Sequence, residues 1–198
     1  MAKITICISG MAGSGKSTLA KRIAERYGLN YFSGGDALKR LAMEKGYEPR
    51  NNGWWESEEG SRFLEERERD KSFDRRVDED LLWMANKGNV VLDSWTMPWL
   101  FKGEAFRVWL KASLEVRAKR AAKRDRMAPK SIMQTIKQKD YRTRSIYKSL
   151  YGFDFGDDLS PFDLVLNTDR FDPDEVYELV SKAIGLYIKR LGKVSSMG

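Results

Sequence analysis

The run Ile4-Thr5-Ile6-Cys7-Ile8, followed by Gly10-Met11-Ala12-Gly13-Ser14-Gly15-Lys16-Ser17 and then by the stretch to Tyr27, decides the fold class. Its opening is short and β-branched, as a strand buried on both faces should be. Its middle is a glycine-rich turn. From Ser17 to Tyr27 apolar residues recur at helical spacing, and Gly28 is placed to close that helix. The same grammar repeats down the chain. Asn30 to Phe32 predicts a strand before a helix from about Asp36 to Lys45, and Asn89 to Leu92 predicts another after a helix that Gly88 ends. Phe106 to Leu110 is a fourth strand, with Ser113 as N-cap of a helix to about Arg124. Leu164 to Leu166 is a fifth, and Asp172-Pro173-Asp174-Glu175 supplies the N-cap, N1 proline and first-turn acids of a last helix. In that helix Val176, Leu179, Val180, Ala183, Ile184 and Tyr187 form an apolar stripe expected in the core. Alternating strands and helices imply right-handed crossovers and a mostly parallel five-stranded sheet covered on both faces, an α/β fold of three layers.

Two segments interrupt the alternation and are predicted to be helical insertions beside a shared site. Lys45 to Asp74 is polar and carries Trp54-Trp55; Arg124 to Asp158 is basic at first and tyrosine-rich later. Adjacent tryptophans cannot point the same way on a helix or strand, so one should pack on the lobe and the other line the cleft or a partner surface. The run Glu65 to Arg69 alternates in sign and predicts a solvated helix face. The tail Gly192 to Gly198 is expected to fray.

Composition narrows the chemistry. The 198 residues suit one domain and contain no histidine, which excludes Ser-His-Asp hydrolysis and histidine-bound zinc. A single cysteine, Cys7, excludes a disulfide scaffold. No apolar run approaches the roughly 18 residues of a membrane span, and no leader is evident, so a cytoplasmic monomer is expected. What remains is chemistry that runs on Lys, Arg, Asp, backbone amides and a hydrated cation, the inventory of phosphoryl transfer. The net charge of +7 suits a polyanion of any kind, nucleotide or nucleic acid.

Gly10 to Ser17 satisfies G-x-x-x-x-G-K-S/T. Its backbone N–H groups converge on phosphate oxygens, Lys16 reaches the β/γ-phosphates, and the Ser17 hydroxyl ligates Mg²⁺. ATP phosphates are therefore expected on Gly10, Met11, Ala12, Gly13, Ser14, Gly15, Lys16, Ser17 and Thr18, where the helix N-terminus adds its dipole. Asn89-Val90-Val91-Leu92-Asp93 is an apolar strand ending in a carboxylate, which in a parallel sheet lies beside that loop. Asp93 there either holds Mg²⁺, directly or through water, or caps the helix that follows.

The chain resembles the small P-loop kinases of nucleoside monophosphates, and among them the archaeal-type cytidylate kinases. Besides the glycine loop, the resemblance rests on Gly28-Leu29-Asn30-Tyr31-Phe32-Ser33-Gly34-Gly35-Asp36, on Trp109 to Arg120, on Tyr151-Gly152-Phe153-Asp154, and on Phe162-Asp163-Leu164-Val165-Leu166-Asn167-Thr168. It implies a P-loop kinase fold with an acceptor-binding insertion at about 34–74 and an arginine-bearing lid at about 124–158. It also implies ATP-dependent transfer to CMP or dCMP. Arg120 and Arg124, four apart on one helix face, match the superfamily's lid arginines, and Arg142 and Arg144 follow the lid segment; all four join Lys16 as candidates to stabilise transferring charge. Ser33, Asp36, Lys39 and Arg40 are the candidate acceptor contacts.

Two departures stand out. Lys39 occupies a position where the family carries an arginine, with Arg40 one place late, which keeps charge but loses the bidentate fork. After the strand the family reads E-G-R or D-G-F-P-R, whereas here the segment is Asp93-Ser94-Trp95-Thr96-Met97-Pro98-Trp99, without the second acceptor arginine. Either Arg75, Arg76 or another basic residue substitutes, or the acceptor differs: another nucleotide, a metabolite or an RNA end. Trp95 either stacks on a base or anchors the core. A nucleotide-switched RNA or ribonucleoprotein assembly ATPase is the reading from a different class, permitted but not favoured by the charge.

Overall fold

Side chains alternate along β1 (Thr5–Gly10), and the alternation sets the layers of the computed structural model, which describes residues 3–49, 53–125 and 129–195. Ile6 and Ile8 pack with Leu19 and Ile23 of α1 (Lys16–Tyr27) and with Val180 and Ile184 of α8 (Pro173–Ser195). Cys7 faces the other way, into a cluster with Leu38 and Leu41 of α2 (Gly34–Glu44) and Val77 and Leu81 of α4 (Ser72–Lys87). Burial pushes the Cys7 thiol up to about 12, so it is an inert core group. The sheet is wholly parallel, in the order β2 (Asn30–Ser33), β3 (Val90–Asp93), β1, β4 (Phe106–Lys111), β5 (Leu164–Asn167).

The order reverses beside β1, where the chain leaves one half of the sheet for the other, and a crevice opens there at the strands' C-terminal ends. Register places functional groups along this edge: Ile8 pairs with Asp93, Ser33 pairs with Asp93, and Gly10 pairs with Leu110. Gly28 closes α1 in the left-handed conformation, as its position predicts. Asp172 Oδ1 accepts from the Asp174 and Glu175 N–H groups and starts α8.

The two interruptions are helical. The first holds a single 3₁₀ turn at Trp54–Glu56, α3 (Glu58–Arg69) and the start of α4; the second holds the end of α6 (Leu114–Asp125) and α7 (Pro129–Tyr151). Arg142 of α7 meets Glu65 of α3 at 3.1 Å, so the two insertions touch. Residues 126–128, within the expected lid, lie outside the described residues. A short helix, α5 (Met97–Leu100), follows β3.

Three expectations need correction. The Glu65–Arg69 run is not uniformly solvated: Arg67 is fully buried and grips Asp74 with Nε and Nη2. Alternating charge describes a face only when the partners sit on the same helix, and here the partner lies on α4. Leu179 leaves the apolar stripe of α8 and is 46% exposed, because α1 and β4 cover only the Val176, Val180 and Ile184 side. The tail is helical from Gly192 through Ser195, and 196–198 lie outside the described residues. Among the described residues no helix is long and apolar enough to cross a membrane.

Candidate active site

The crevice is a cleft of about 930 Å³ running from the glycine loop to α4 and α7. Gly13 holds φ +78°, and a Cβ there would lie 2.9 Å from the Arg117 carbonyl oxygen, so the tight loop needs glycine at that point. Lys16 donates to the Met11 carbonyl at 3.2 Å, folded over the loop it serves. Ser17 Oγ donates to Asp93 Oδ2 at 2.5 Å, and the Tyr31 hydroxyl donates to the same oxygen at 3.3 Å. Burial raises Asp93, opposed by the Lys16 charge and by these two hydrogen bonds. Burial likewise lowers Lys16, opposed by Asp93 and Asp140.

Asp93 does not cap α5. That task falls to Ser94, whose Oγ accepts from the Thr96 and Met97 N–H groups at 3.2 Å each. A hydroxyl and a carboxylate side by side at the end of a phosphate loop are hard oxygen donors, which suits Mg²⁺. Among the described residues no group of three or more His, Cys, Asp or Glu forms an all-protein cage. Mg²⁺ prefers just this, one or two protein oxygens with phosphate and water completing the shell.

On the donor side Arg120 lines the cleft and is held by three contacts: Nη1 donates to the Ser14 carbonyl at 3.3 Å and to Thr168 Oγ1 at 2.9 Å, and Nη2 to the Thr168 carbonyl at 2.7 Å. Arg124 lines it too, with Nη2 2.6 Å from Asp125. Arg142 and Arg144 do not line it. Arg142 turns to Glu65, and Arg144 donates to the Phe155 carbonyl at 3.1 Å and lies 3.5 Å from Asp157. The reason is helical phase: the inward stripe of α7 is Ile132, Ile136, Lys139, Thr143 and Tyr147, and both arginines fall off it.

On the acceptor side Ser33, Asp36, Lys39 and Trp95 line the cleft, and the Ser33 hydroxyl caps α2 by accepting from the Asp36 N–H. Arg40 is exposed and outside the lining, as are Arg75 and Arg76, the latter paired with Glu44. The tryptophan pair divides as expected: Trp54 is buried on the lobe and donates to Glu59, while Trp55 lines the cleft.

Lys139 was not legible as a site residue. It is 6% exposed, lines the cleft, and sets Nζ 4.8 Å from the Trp55 ring centroid and 6.0 Å from that of Trp95. Lys16 Nζ lies 5.7 Å from the same Trp95 ring, so Trp95 is a half-buried wall between two cations. A lone cation on an otherwise apolar helical stripe was the available signal. Arg117 was also missed as a site residue: buried, it donates to the Ala12 carbonyl at 3.1 Å and pairs with Asp140 at 2.7 Å, tying the glycine loop to α7.

Residues 5–170 match the model of the cytidylate kinase-like family. The chain belongs to this family. It is 36% identical to the cytidylate kinase of Pyrococcus horikoshii over 182 residues, 92% of this chain and 88% of that one. With the cytidylate kinase of Methanocaldococcus jannaschii it shares 34% over 183 residues, 90% of this chain and 96% of that one. Among solved structures, shikimate kinase from Acinetobacter baumannii superposes with a TM-score of 0.55 at 18% identity, covering 96% of this chain and 95% of that one, which shows the P-loop kinase fold. By family the chain is a phosphotransferase, a nucleoside monophosphate kinase.

Proposed function

We propose that the chain transfers the γ-phosphoryl group of ATP to CMP or dCMP, giving ADP and the corresponding diphosphate. The observation that supports this most is the single cleft joining the Gly10–Ser17 loop to an acceptor lobe, with Lys16 and Lys139 on its walls between the two ends. The relatives named cytidylate kinase support the choice of base.

In this reading the loop amides and the N-terminus of α1 take the β- and γ-phosphates. Lys16 leaves the Met11 carbonyl for a phosphate oxygen and stabilises the charge spread over the transferring group. Arg120 and Arg124 act from the donor side, with Arg120 already oriented by Thr168. Ser17 and Asp93 would hold Mg²⁺, which would supply charge neutralisation of the phosphates there. Ser33, Asp36 and Lys39 position the acceptor nucleotide, and Lys139 supplies the acceptor-phosphate cation that the Trp95 segment lacks. Trp55 and Trp95 shield Lys139 from water, which strengthens its pull on a phosphate. No general base is required, because the attacking oxygen of the acceptor phosphate is already anionic.

The test is incubation with ATP·Mg²⁺ and each of CMP, dCMP, UMP, AMP and GMP, with diphosphate products resolved and Lys16→Ala as control. CDP or dCDP that vanishes in the variant is the expected result. A folded, ATP-binding protein that produces neither would refute the proposal.

A further inference from the structure

A loop amide can receive phosphate only if its peptide plane is turned the right way, and α6 supplies handles that turn two planes of the glycine loop. Arg117 Nη1 donates to the Ala12 carbonyl at 3.1 Å, and one turn on Arg120 Nη1 donates to the Ser14 carbonyl at 3.3 Å. A trans peptide is planar, with its N–H opposed to its C=O, and among the described residues no peptide bond is cis. Drawing the Ala12 carbonyl back toward α6 therefore turns the Gly13 N–H the other way. Gly13 lines the cleft and the buried Arg117 stands behind it, outside the lining, so that N–H faces the cleft. The loop also rests on the same residue: a Cβ on Gly13 would lie 2.9 Å from the Arg117 carbonyl oxygen and 3.2 Å from the Arg117 Cβ. From α7, Asp140 holds the guanidinium at 2.7 Å.

Resting on the proposed ATP site at this loop, we infer that Arg117, braced by Asp140, is a positioning residue for phosphoryl transfer: it presets the Ala12–Gly13 peptide so that the Gly13 N–H donates to a phosphate oxygen of the nucleotide. A peptide already turned before the nucleotide arrives needs no reorientation on binding, which is what makes a fixed donor effective. The guanidinium suits the task because its planar fork places one nitrogen on the carbonyl and another on the carboxylate at once, a geometry that a lysine ammonium does not preset. Arg117 Nε is buried without a hydrogen-bond partner among the described residues, so the guanidinium is placed to serve the loop and Asp140 at the expense of its own full satisfaction. Asp140 also balances its charge. The two act on Lys16 in opposite directions, so the pair orients the loop while adding little net field at the lysine.

The experiment titrates ATP·Mg²⁺ into the wild type, Arg117→Met and Arg117→Met/Asp140→Leu, and follows the Gly13 amide of isotope-labelled wild type by NMR as ADP·Mg²⁺ is added. Arg117→Met should raise Kd roughly 10- to 100-fold, the range for losing a hydrogen bond from a charged donor. That variant alone would also leave Asp140 as an unbalanced anion near the phosphates. The double variant removes both charges and leaves no orphaned buried ion, so it separates orientation from electrostatics; its Kd should remain about tenfold or more above wild type. In the wild type the Gly13 amide proton should move downfield as the N–H begins to donate to phosphate, a readout that needs no variant and decides even where both substitutions prevent folding. A folded double variant with wild-type affinity, or a Gly13 amide that stays in place while ADP binds, overturns the positioning role and leaves the kinase reading intact. A folded wild type that binds neither nucleotide overturns both.

Discussion

Replacing Arg67 by methionine should destabilise the protein by about 3–5 kcal/mol, the range observed when one member of a buried ion pair is removed. The structure places this pair at that limit. Arg67 and Asp74 side chains are 0% and 2% exposed, and the guanidinium grips both carboxylate oxygens in the forked geometry that lysine cannot reproduce. Methionine restores most of the apolar volume, so cavity formation contributes little; the loss comes from leaving Asp74 charged, buried and without its counter-ion. In a chain of this length the loss corresponds to a fall in Tm of roughly 10 °C. Equilibrium urea unfolding of wild type, Arg67→Met, Asp74→Leu and the double variant forms the assay. The double variant should recover most of the stability, because neither charge then remains to be desolvated. A single variant that loses less than about 1 kcal/mol, or a double variant no better than the worse single one, would refute the argument that charge compensation holds α3 to α4.

Gly13→Ala should abolish ATP binding in a folded protein, checked by nucleotide titration, since φ +78° and the Arg117 carbonyl at 2.9 Å leave its Cβ no room. Lys139→Ala should raise KM for the acceptor more than about tenfold with KM for ATP unchanged, and Lys139→Arg should restore much of it in steady-state kinetics. Stability should respond to Asp78, whose ordinary value of 3.8 is pushed up to about 7 by burial. Between those values the folded state keeps a proton that the unfolded chain has released, so stability declines as pH rises from about 4 to 7, by no more than about 4 kcal/mol. Asp78→Asn should flatten that decline in Tm measured across the same pH range.

What the sequence made legible was whatever depends on neighbours in the chain. The glycine loop, the β-branched strands and the caps at Gly28 and Asp172 each have their cause within a few residues, and each forms where its residues predict. The strand order β2-β3-β1-β4-β5 has no such local cause, and follows from how the helices cover each face. The site divides the same way. Lys16, Ser17 and Asp93 were legible because one loop and one strand end carry them to the same edge. Arg142 and Arg144 lie outside the cleft lining, because nearness in sequence to the lid says nothing about helical phase, which turns them toward Glu65 and Asp157.

Lys139, Asp74, Asp78 and Arg67 share one physical signature: a charge standing where an amphipathic helix should be apolar. Lys139 interrupts the stripe Ile132, Ile136, Thr143, Tyr147 on α7; Asp74 and Asp78 interrupt Phe73, Val77, Leu81 and Ala85 on α4; Arg67 follows Phe63 and Leu64 on α3. Burying such a charge costs several kcal/mol unless something answers it. For Arg67 and Asp74 the answer is each other, and their role is to fix the floor of the cleft. For Asp78 it includes two hydroxyls, and for Lys139 two aromatic faces. Lys139 and Asp78 thus set a cation and a carboxyl on the lining of one cleft. Lys139 comes from α7 and sits between two tryptophans, and α7 is tied to the glycine loop through Asp140 and Arg117.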